Sequence, residues 1–212
     1  MKEGKGILLD VVKPRVNGVF IFMFTGIITE TGTVVVRTQS GISISTNNRV
    51  LRRLKRGGSI AVDGACLTIV AKGKGSFSAD ILGETLQRTM LGSLSRGALV
   101  NLELPATLTS FLSGHIVQGH IDGVGKLISV VGKKNGRILK FSIPRALSKY
   151  VVQKGSIAVN GVALTVVNAT MNHFTVHIIP HTWQSTSFQT KKIGARVNIE
   201  VDVLAKYVEK FV

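Results

Sequence analysis

A chain of 212 residues with 44 % hydrophobic and 18 % charged residues has the composition of a globular protein, not of a disordered or collagen-like one. Its 27 Lys and Arg against 11 Asp and Glu give a net charge of +16, which favours an anionic partner, but the basic residues are spread out and only RVLRRLKR (49–56) is dense. The single cysteine excludes an intrachain disulfide and fits a reducing, cytoplasmic setting, and no apolar run approaches the ~20 residues of a membrane helix, so no membrane partner is expected.

Residues 1–22 match nothing else in the chain and are expected to be an extension, with Met23 opening the motif MFTGII. The first half then reads as short β-rich runs near 26–36, 41–46, 58–62, 66–71, 76–81 and 99–104. Asn47 and Asn48 are placed to cap a helix in RVLRRLK, whose Val50, Leu51 and Leu54 share a face. A linker is expected near 105–116. The second half gives a matching set of strands near 119–130, 137–143, 155–159, 163–168, 173–178 and 196–201, with a helical piece from Pro144 through Ala146, Leu147 and Tyr150. Last comes DVLAKYVEKFV (202–212), in which Val203, Leu204, Tyr207, Val208 and Phe211 make one apolar helical face. A helix this short is marginal alone and must pack on its own barrel or on a neighbouring chain.

The two halves are copies. GSIAVDGACLTIV (58–70) and GSIAVNGVALTVV (155–167) share nine of thirteen residues at an offset of 97, and the offset holds without a gap to Leu104 and Val201, with 19 identities over 47 positions. Unrelated sequences of average usage would share about three. The openings GIITETGTV (26–34) and GHIDGVGKL (119–127) align at 93 instead. A unit of this size is a domain, not a solenoid repeat. Six strands and a cap helix, twice over, predict an all-β protein of two tandem six-stranded barrels plus a short C-terminal α-helix, since closure removes the open edges of such short strands. The boundaries predicted are 1–22 for the extension, 23–116 and 117–202 for the barrels, and 203–212 for the helix.

Seven motifs carry a family resemblance: MFTGI (23–27), GSIAVDGACLTIV (58–70), ADILGETLQRTMLG (79–92), SGHIVQGHIDG (113–123), KGSIAVNGVALTVV (154–167), IIPHT (178–182) and RVNIEVD (196–202). Together, in this order and spacing, they resemble the riboflavin synthase family, the type built from two lumazine-binding repeats, over about 23–212. The resemblance implies Greek-key barrels that each bind one 6,7-dimethyl-8-ribityllumazine, and a homotrimer held by the C-terminal helix. It implies that one lumazine gives a four-carbon unit to another, yielding riboflavin and 5-amino-6-(D-ribitylamino)uracil, with no metal and no separate cofactor.

That chemistry asks for particular residue types. It deprotonates an acidic ring methyl and adds a nucleophile to an electrophilic ring carbon, so the protein must hold two flat heterocycles face to face and move protons near neutral pH. Cys66 matches the family's active-site cysteine, as nucleophile or polar partner of the ring; read alone, a lone cysteine is more often a small buried residue. His120 is favoured as proton carrier or hydrogen-bond donor, and Ser59 joins them as a catalytic candidate. His115 lies five residues from His120, a separation that on a strand puts the two on opposite faces unless the glycines break the register, and it is expected to support structure or the subunit contact. The H-x4-H spacing lacks the further ligands of a metal site. Asp202 is expected either to support activity or to cap the last helix.

The substrate-lining set implied by the resemblance comprises Phe24, Gly26, Ile27 and Ile28; Cys66, Leu67 and Thr68; Asp80, Ile81, Leu82, Gly83, Glu84 and Thr85; Gly119, His120 and Ile121; Lys154; Ala163, Leu164 and Thr165; and His177, Ile178, Ile179, Pro180, His181 and Thr182. The chain departs from the family at Asn160 and Ala163, where an acidic residue and a serine are usual, which puts the affinity of the second lumazine site in question. Two other readings compete. A non-catalytic lumazine or flavin binder of the antenna type would tend to lose the paired histidines, which this chain keeps. A nucleic-acid-binding barrel would interleave aromatics with the basic run, and RVLRRLKR has none, so no nucleic-acid partner is expected.

Overall fold

The computed structural model describes residues 23–211. The extension expected at 1–22 lies outside the described residues. The first half forms β1 (Glu30–Arg37), β2 (Gly41–Ser45), β3 (Ser59–Val62), β4 (Ala65–Lys72), β5 (Ser76–Asp80) and β6 (Leu99–Glu103). The second forms β7 (Gly123–Lys133), β8 (Gly136–Ser142), β9 (Ser156–Val159), β10 (Val162–Ala169), β11 (His173–Ile178) and β12 (Arg196–Val201). Each set closes into an antiparallel barrel of order β1-β2-β5-β4-β3-β6 and its counterpart β7-β8-β11-β10-β9-β12. The predicted all-β, twin-barrel architecture is therefore the one observed.

Alternation along the strands puts one apolar face inside each barrel. Ile44, Ile60, Ile69, Phe77 and Leu102 fill the first core, and Leu139, Phe141, Phe174, Phe188 and Ile199 fill the second. Both barrels bend at the same place: β4 carries a register shift between Ile69 and Ala71, and β10 carries its equivalent between Val166 and Asn168.

The helices differ from expectation. Asn47 Oδ1 accepts the Val50 N–H and caps α1 (Asn48–Arg53), as predicted. Each half, however, adds a second turn of α-helix followed by a 3-10 turn: α2 (Gly83–Arg88) with Met90–Ser93, and α3 (Pro180–Ser185) with Ser187–Thr190. These segments hold few apolar positions and carry little helical periodicity. Residues 145–150 form a 3-10 helix, with Pro144 preceding it as an extended residue.

The barrels meet tip to tip through a buried polar knot. The β3–β4 turn carries Asp63 and Gly64 at φ 41° and 80°, and the β9–β10 turn carries Asn160 and Gly161 at 47° and 76°. Asp-Gly and Asn-Gly suit such tight hairpins. The two turns touch: a Cβ on Gly64 would lie 2.6 Å from the Gly161 nitrogen. Around them, Asn101 Nδ2 donates to the Asn160 carbonyl at 2.9 Å and Asn198 Nδ2 donates to the Asp63 carbonyl at 2.8 Å. The symmetry breaks at one point. Lys191 approaches Asp63 Oδ2 at 3.5 Å, whereas the equivalents at an offset of 97 are Leu94 and Asn160. Asn160 is fully buried here, at the contact between the two barrels.

The C-terminal α4 (Val203–Phe211) begins where the Asp202 carboxylate accepts the Leu204 N–H at 3.0 Å. Polar contacts tie it to the second barrel: Lys206 to Asp122 at 2.6 Å, and Glu209 to Lys149 and Tyr150. Its apolar side faces outward, with Leu204, Tyr207, Val208 and Phe211 each more than half exposed.

Candidate active site

The first strand of each half starts later than predicted. Residues 23–28 and 115–122 lie outside the sheets as two extended arms, because Gly26 and Gly119 sit at φ 75° and 80° and turn the chain out of strand geometry. The arms pair with each other at their equivalent residues: the Phe24 N–H donates to the Val117 carbonyl at 2.7 Å, and the Val117 N–H returns to the Phe24 carbonyl at 3.1 Å. Each arm then crosses to the opposite barrel. The Gly119 carbonyl accepts the Cys66 N–H on β4 at 2.9 Å, and the Gly26 carbonyl accepts the Ala163 N–H on β10 at 2.8 Å.

This crossing builds a cavity of about 220 Å³ lined by Ala65, Cys66, Glu84, Thr85, Arg88, Thr89, Gly119, His120 and Ile121. Cys66 and His120 therefore share one cavity although 54 positions separate them in the chain. The α2 turn closes its rim with Glu84 and Thr85, while Leu82 and Gly83 stand exposed at its start. Burial raises the Cys66 thiol, the nearby Ser59 hydroxyl lowers it, and the Glu200 carboxylate raises it further. A thiol so placed stays protonated at neutral pH.

Ser59 pairs with Thr68, and Ala61 with Cys66, across β3 and β4. Ser59 also opens onto a neighbouring cavity of about 310 Å³ edged by Arg53, Lys55 and Arg56. Thr68 is exposed and pairs with Asp80 of β5, which is also exposed. Four residues of the predicted lining face elsewhere. The side chains of Leu67 and Ile81 enter the first core and those of Leu164 and Ile178 enter the second, so they offer a ligand only main-chain atoms. The Phe24 ring is fully buried between the barrels against Ala61, Val117, Ala158 and Cys66.

The second barrel presents the matching positions. Ile27 and Ile28 take the places that His120 and Ile121 hold in the other arm, beside Ala163, and Ile28 packs against the second core. Thr165, His177, Ile179, Pro180 and His181 are exposed, and Thr182 is half-buried in α3. Lys154 is exposed at φ 66°, a conformation its equivalent Gly57 adopts at φ 80° without a side chain. His115 is not on the opposite face of a strand from His120, because the segment is not a strand. Burial lowers its pKa, and Asp202 pulls it back up. Its Nε2 is buried without a hydrogen-bond partner.

Two residues that sequence reasoning passed over hold the arms in place. Glu103 Oε1 accepts the Thr25 N–H at 2.7 Å and the Thr25 hydroxyl at 2.8 Å, and Oε2 accepts the Gly26 N–H at 3.1 Å. Glu200 accepts the Gln118 N–H at 2.6 Å and the Gly119 N–H at 3.0 Å. Burial pushes both carboxyls up to about 7. Their signal was present: V-N-x-E recurs at 100–103 and 197–200, and two polar residues retained in both copies of a core strand are unexpected.

The chain is thus a duplicated barrel whose arms cross from one barrel to the other, with Cys66 and His120 brought into one cavity. The sequence profile of the lumazine binding domain matches residues 25–105 and 118–202. The chain is 41 % identical over 192 residues to the riboflavin synthase of Actinobacillus pleuropneumoniae, covering 89 % of each chain. It is 42 % identical over 195 residues to that of Mycobacterium tuberculosis, covering 89 % of this chain and 97 % of the relative. The fold matches the crystal structures of LumP complexed with riboflavin and with 6,7-dimethyl-8-(1'-D-ribityl)lumazine, at TM-scores of 0.78 and 0.76 and 22 % and 21 % identity, over 84 % of this chain and 99 % of each. The chain belongs to the riboflavin synthase family.

Proposed function

We propose that the two cross-built pockets are the two lumazine sites of a dismutation reaction. The chain is an enzyme that converts two 6,7-dimethyl-8-ribityllumazine molecules to riboflavin and 5-amino-6-(D-ribitylamino)uracil. The two products together hold all the atoms of the two substrates, so no oxidant, reductant or group carrier is consumed. What the protein supplies is proximity, orientation and proton movement.

Within this reading, Cys66 and His120 act on the ring held by the first barrel. His120 carries a proton to or from the ring, since imidazole exchanges protons near neutral pH. The protonated Cys66 thiol, with Ser59 two positions from its strand partner, serves as a polar partner of the ring more readily than as a free thiolate. Main-chain groups of 80–85 and 177–182 hold the ring edge and the ribityl chain, and Thr68 and Thr165 add hydroxyls at equivalent places. Lys154 reaches toward the ribityl chain in the second pocket; its strained backbone supports a functional reason for a side chain there. Ala163 leaves that pocket without the usual hydroxyl.

The reaction needs two lumazines stacked on each other, and the exposed apolar side of α4 supports a homotrimer in which the first barrel of one protomer faces the second barrel of another. The units proposed are 23–116, 117–202 and a trimerisation helix at 203–212, in a cytoplasmic protein. No helix among the described residues is long and apolar enough to cross a membrane. The observation that carries the reading is the Gly119–Cys66 hydrogen bond, which brings the family's cysteine and histidine into one cavity. The test is incubation with 6,7-dimethyl-8-ribityllumazine and no additive, following riboflavin absorbance. Growth of that absorbance is expected; tight binding with no product would place the protein with antenna-type binders.

A further inference from the structure

Glu103 ends β6 and Glu200 lies in β12 at the equivalent position, 4 % and 2 % exposed. Their neighbours Leu102, Ile199 and Val201 are core residues. Among the described residues no Lys, Arg or His comes within 4.0 Å of either carboxylate. A buried carboxylate without a counter-ion is costly, and an apolar residue would suit either strand better. Both copies nonetheless keep the acid, and both direct it at the same target, two successive backbone N–H groups of a crossing arm.

The consequence is asymmetric in a useful way. Glu200 is rooted in the second barrel, yet the residues it fixes, Gln118 and Gly119, lead directly to the Gly119 carbonyl that meets Cys66 and to His120, which lines the first cavity. Glu103 is rooted in the first barrel and fixes Thr25 and Gly26, whose carbonyl meets Ala163 of the second. We propose that Glu103 and Glu200 are positioning residues for the two lumazine pockets and act crosswise, each barrel's carboxylate setting the wall of the other barrel's pocket. This rests on the pocket assignment above. Glutamine in place of either acid cannot serve, because an amide offers one acceptor oxygen where two N–H groups converge, and its NH2 group would oppose the second.

Cys66, the one cysteine, reports on the first pocket by its rate of alkylation with iodoacetamide, with and without saturating riboflavin. In Glu200→Gln the alkylation rate is expected to change at least fivefold and riboflavin protection to be lost. In Glu103→Gln, Cys66 should keep both within twofold of the wild-type chain. Equal effects of the two variants on Cys66, or none from Glu200→Gln, would overturn the crosswise assignment. Failure of riboflavin to protect Cys66 in the wild-type chain would instead remove the pocket assignment, with the alkylation rates still deciding the positioning roles.

Should Glu200→Gln not fold, as judged by near-ultraviolet circular dichroism, the Glu103→Gln chain carries the test by NMR. The groups facing Glu200 are Asp122, Lys206 and the Cys66 thiol. In Glu103→Gln, the amide signals of Gln118, Gly119 and Cys66 should titrate with the side-chain carboxyl carbon of Glu200 and share its midpoint. Amides that do not move with that carboxyl would end the proposal.

Discussion

The carbonyl of Gly119, from the second half of the sequence, accepts the N–H of Cys66 in the first barrel at 2.9 Å. Its mirror, the Gly26 carbonyl on the Ala163 N–H, forms at 2.8 Å. The cavity at Cys66 is not complete within its own repeat, so substitutions in one repeat should be felt in the other.

Gly119→Ala tests this contact. An added Cβ would lie 2.6 Å from Cys66 Cβ, at a φ of 80° that alanine adopts with difficulty. A loss of about 1–3 kcal/mol in stability is expected, and turnover should fall at least tenfold because the Cys66 wall moves. Thermal unfolding and lumazine turnover measure the two effects. A variant with wild-type turnover would show that the close approach is dispensable.

His120→Ala should lower kcat by about 100-fold, the typical contribution of a positioned proton carrier. Cys66→Ser should slow turnover while folding survives, since serine keeps a polar group at the site and changes little volume. Steady-state kinetics with a circular dichroism spectrum of each variant suffice. Wild-type rates in both would remove these residues from the site.

Lys154→Gly separates backbone from side chain. A lysine held at φ 66° costs about 1 kcal/mol relative to glycine, so the variant should be at least as stable as the wild-type chain. Its riboflavin affinity should nevertheless fall, if the ammonium group meets the ribityl chain. Fluorescence titration with riboflavin and urea unfolding report the two quantities; unchanged affinity would make Lys154 a solvated surface residue.

Stability should carry an unusual pH component. The carboxyls of Glu103 and Glu200 rise from 4.5 to about 7 on folding, so between those values the folded chain holds protons that the unfolded chain has released. Their contribution is present below about 4.5 and is lost as pH rises through about 7, on the order of 3 kcal/mol each. Asp63, also raised by burial, acts in the same direction. His115, lowered by burial, acts in the opposite one, because stability falls as pH drops and the ring must charge. Urea unfolding at pH 5.5 and 7.5 should therefore show a smaller loss with rising pH in the Glu103→Gln, Glu200→Gln double variant than in the wild-type chain. Parallel pH dependences would mean that the two carboxyls are not raised.

Removing residues 203–212 should leave both barrels folded, because Leu204, Tyr207, Val208 and Phe211 are each more than half exposed and contribute little to the core. The expected product is a monomer with little activity, read by light scattering on a sizing column and by lumazine turnover. A truncated chain that forms trimers would place the interface elsewhere.

Much of this was legible in the sequence because strands and hairpins are local. Alternating apolar residues between Gly, Asn and Asp turns marked all twelve strands, and the repeat at 97 showed that whatever held for one barrel held for the other. The α2 and α3 turns were missed since their short helices bury none of their own residues. The Asp63, Asn101, Asn160 and Asn198 knot was missed for a related reason. Polar residues in strands and turns usually face water, yet here all four are fully buried: the Asn101 and Asn198 side chains donate across to the opposite barrel, and the Asp63 and Asn160 side chains accept N–H groups of their own barrel.

By itself the sequence determined the duplication, the strand pattern and the presence of Cys66, His120 and the family's motifs, because each is written in residues near one another along the chain. Only the tertiary structure decided which arm meets which barrel and which buried acids hold the crossing arms. Those choices depend on main-chain groups, the carbonyls of Gly26 and Gly119 and the N–H groups around them, and a backbone amide looks the same in every sequence until the fold brings its partner within reach.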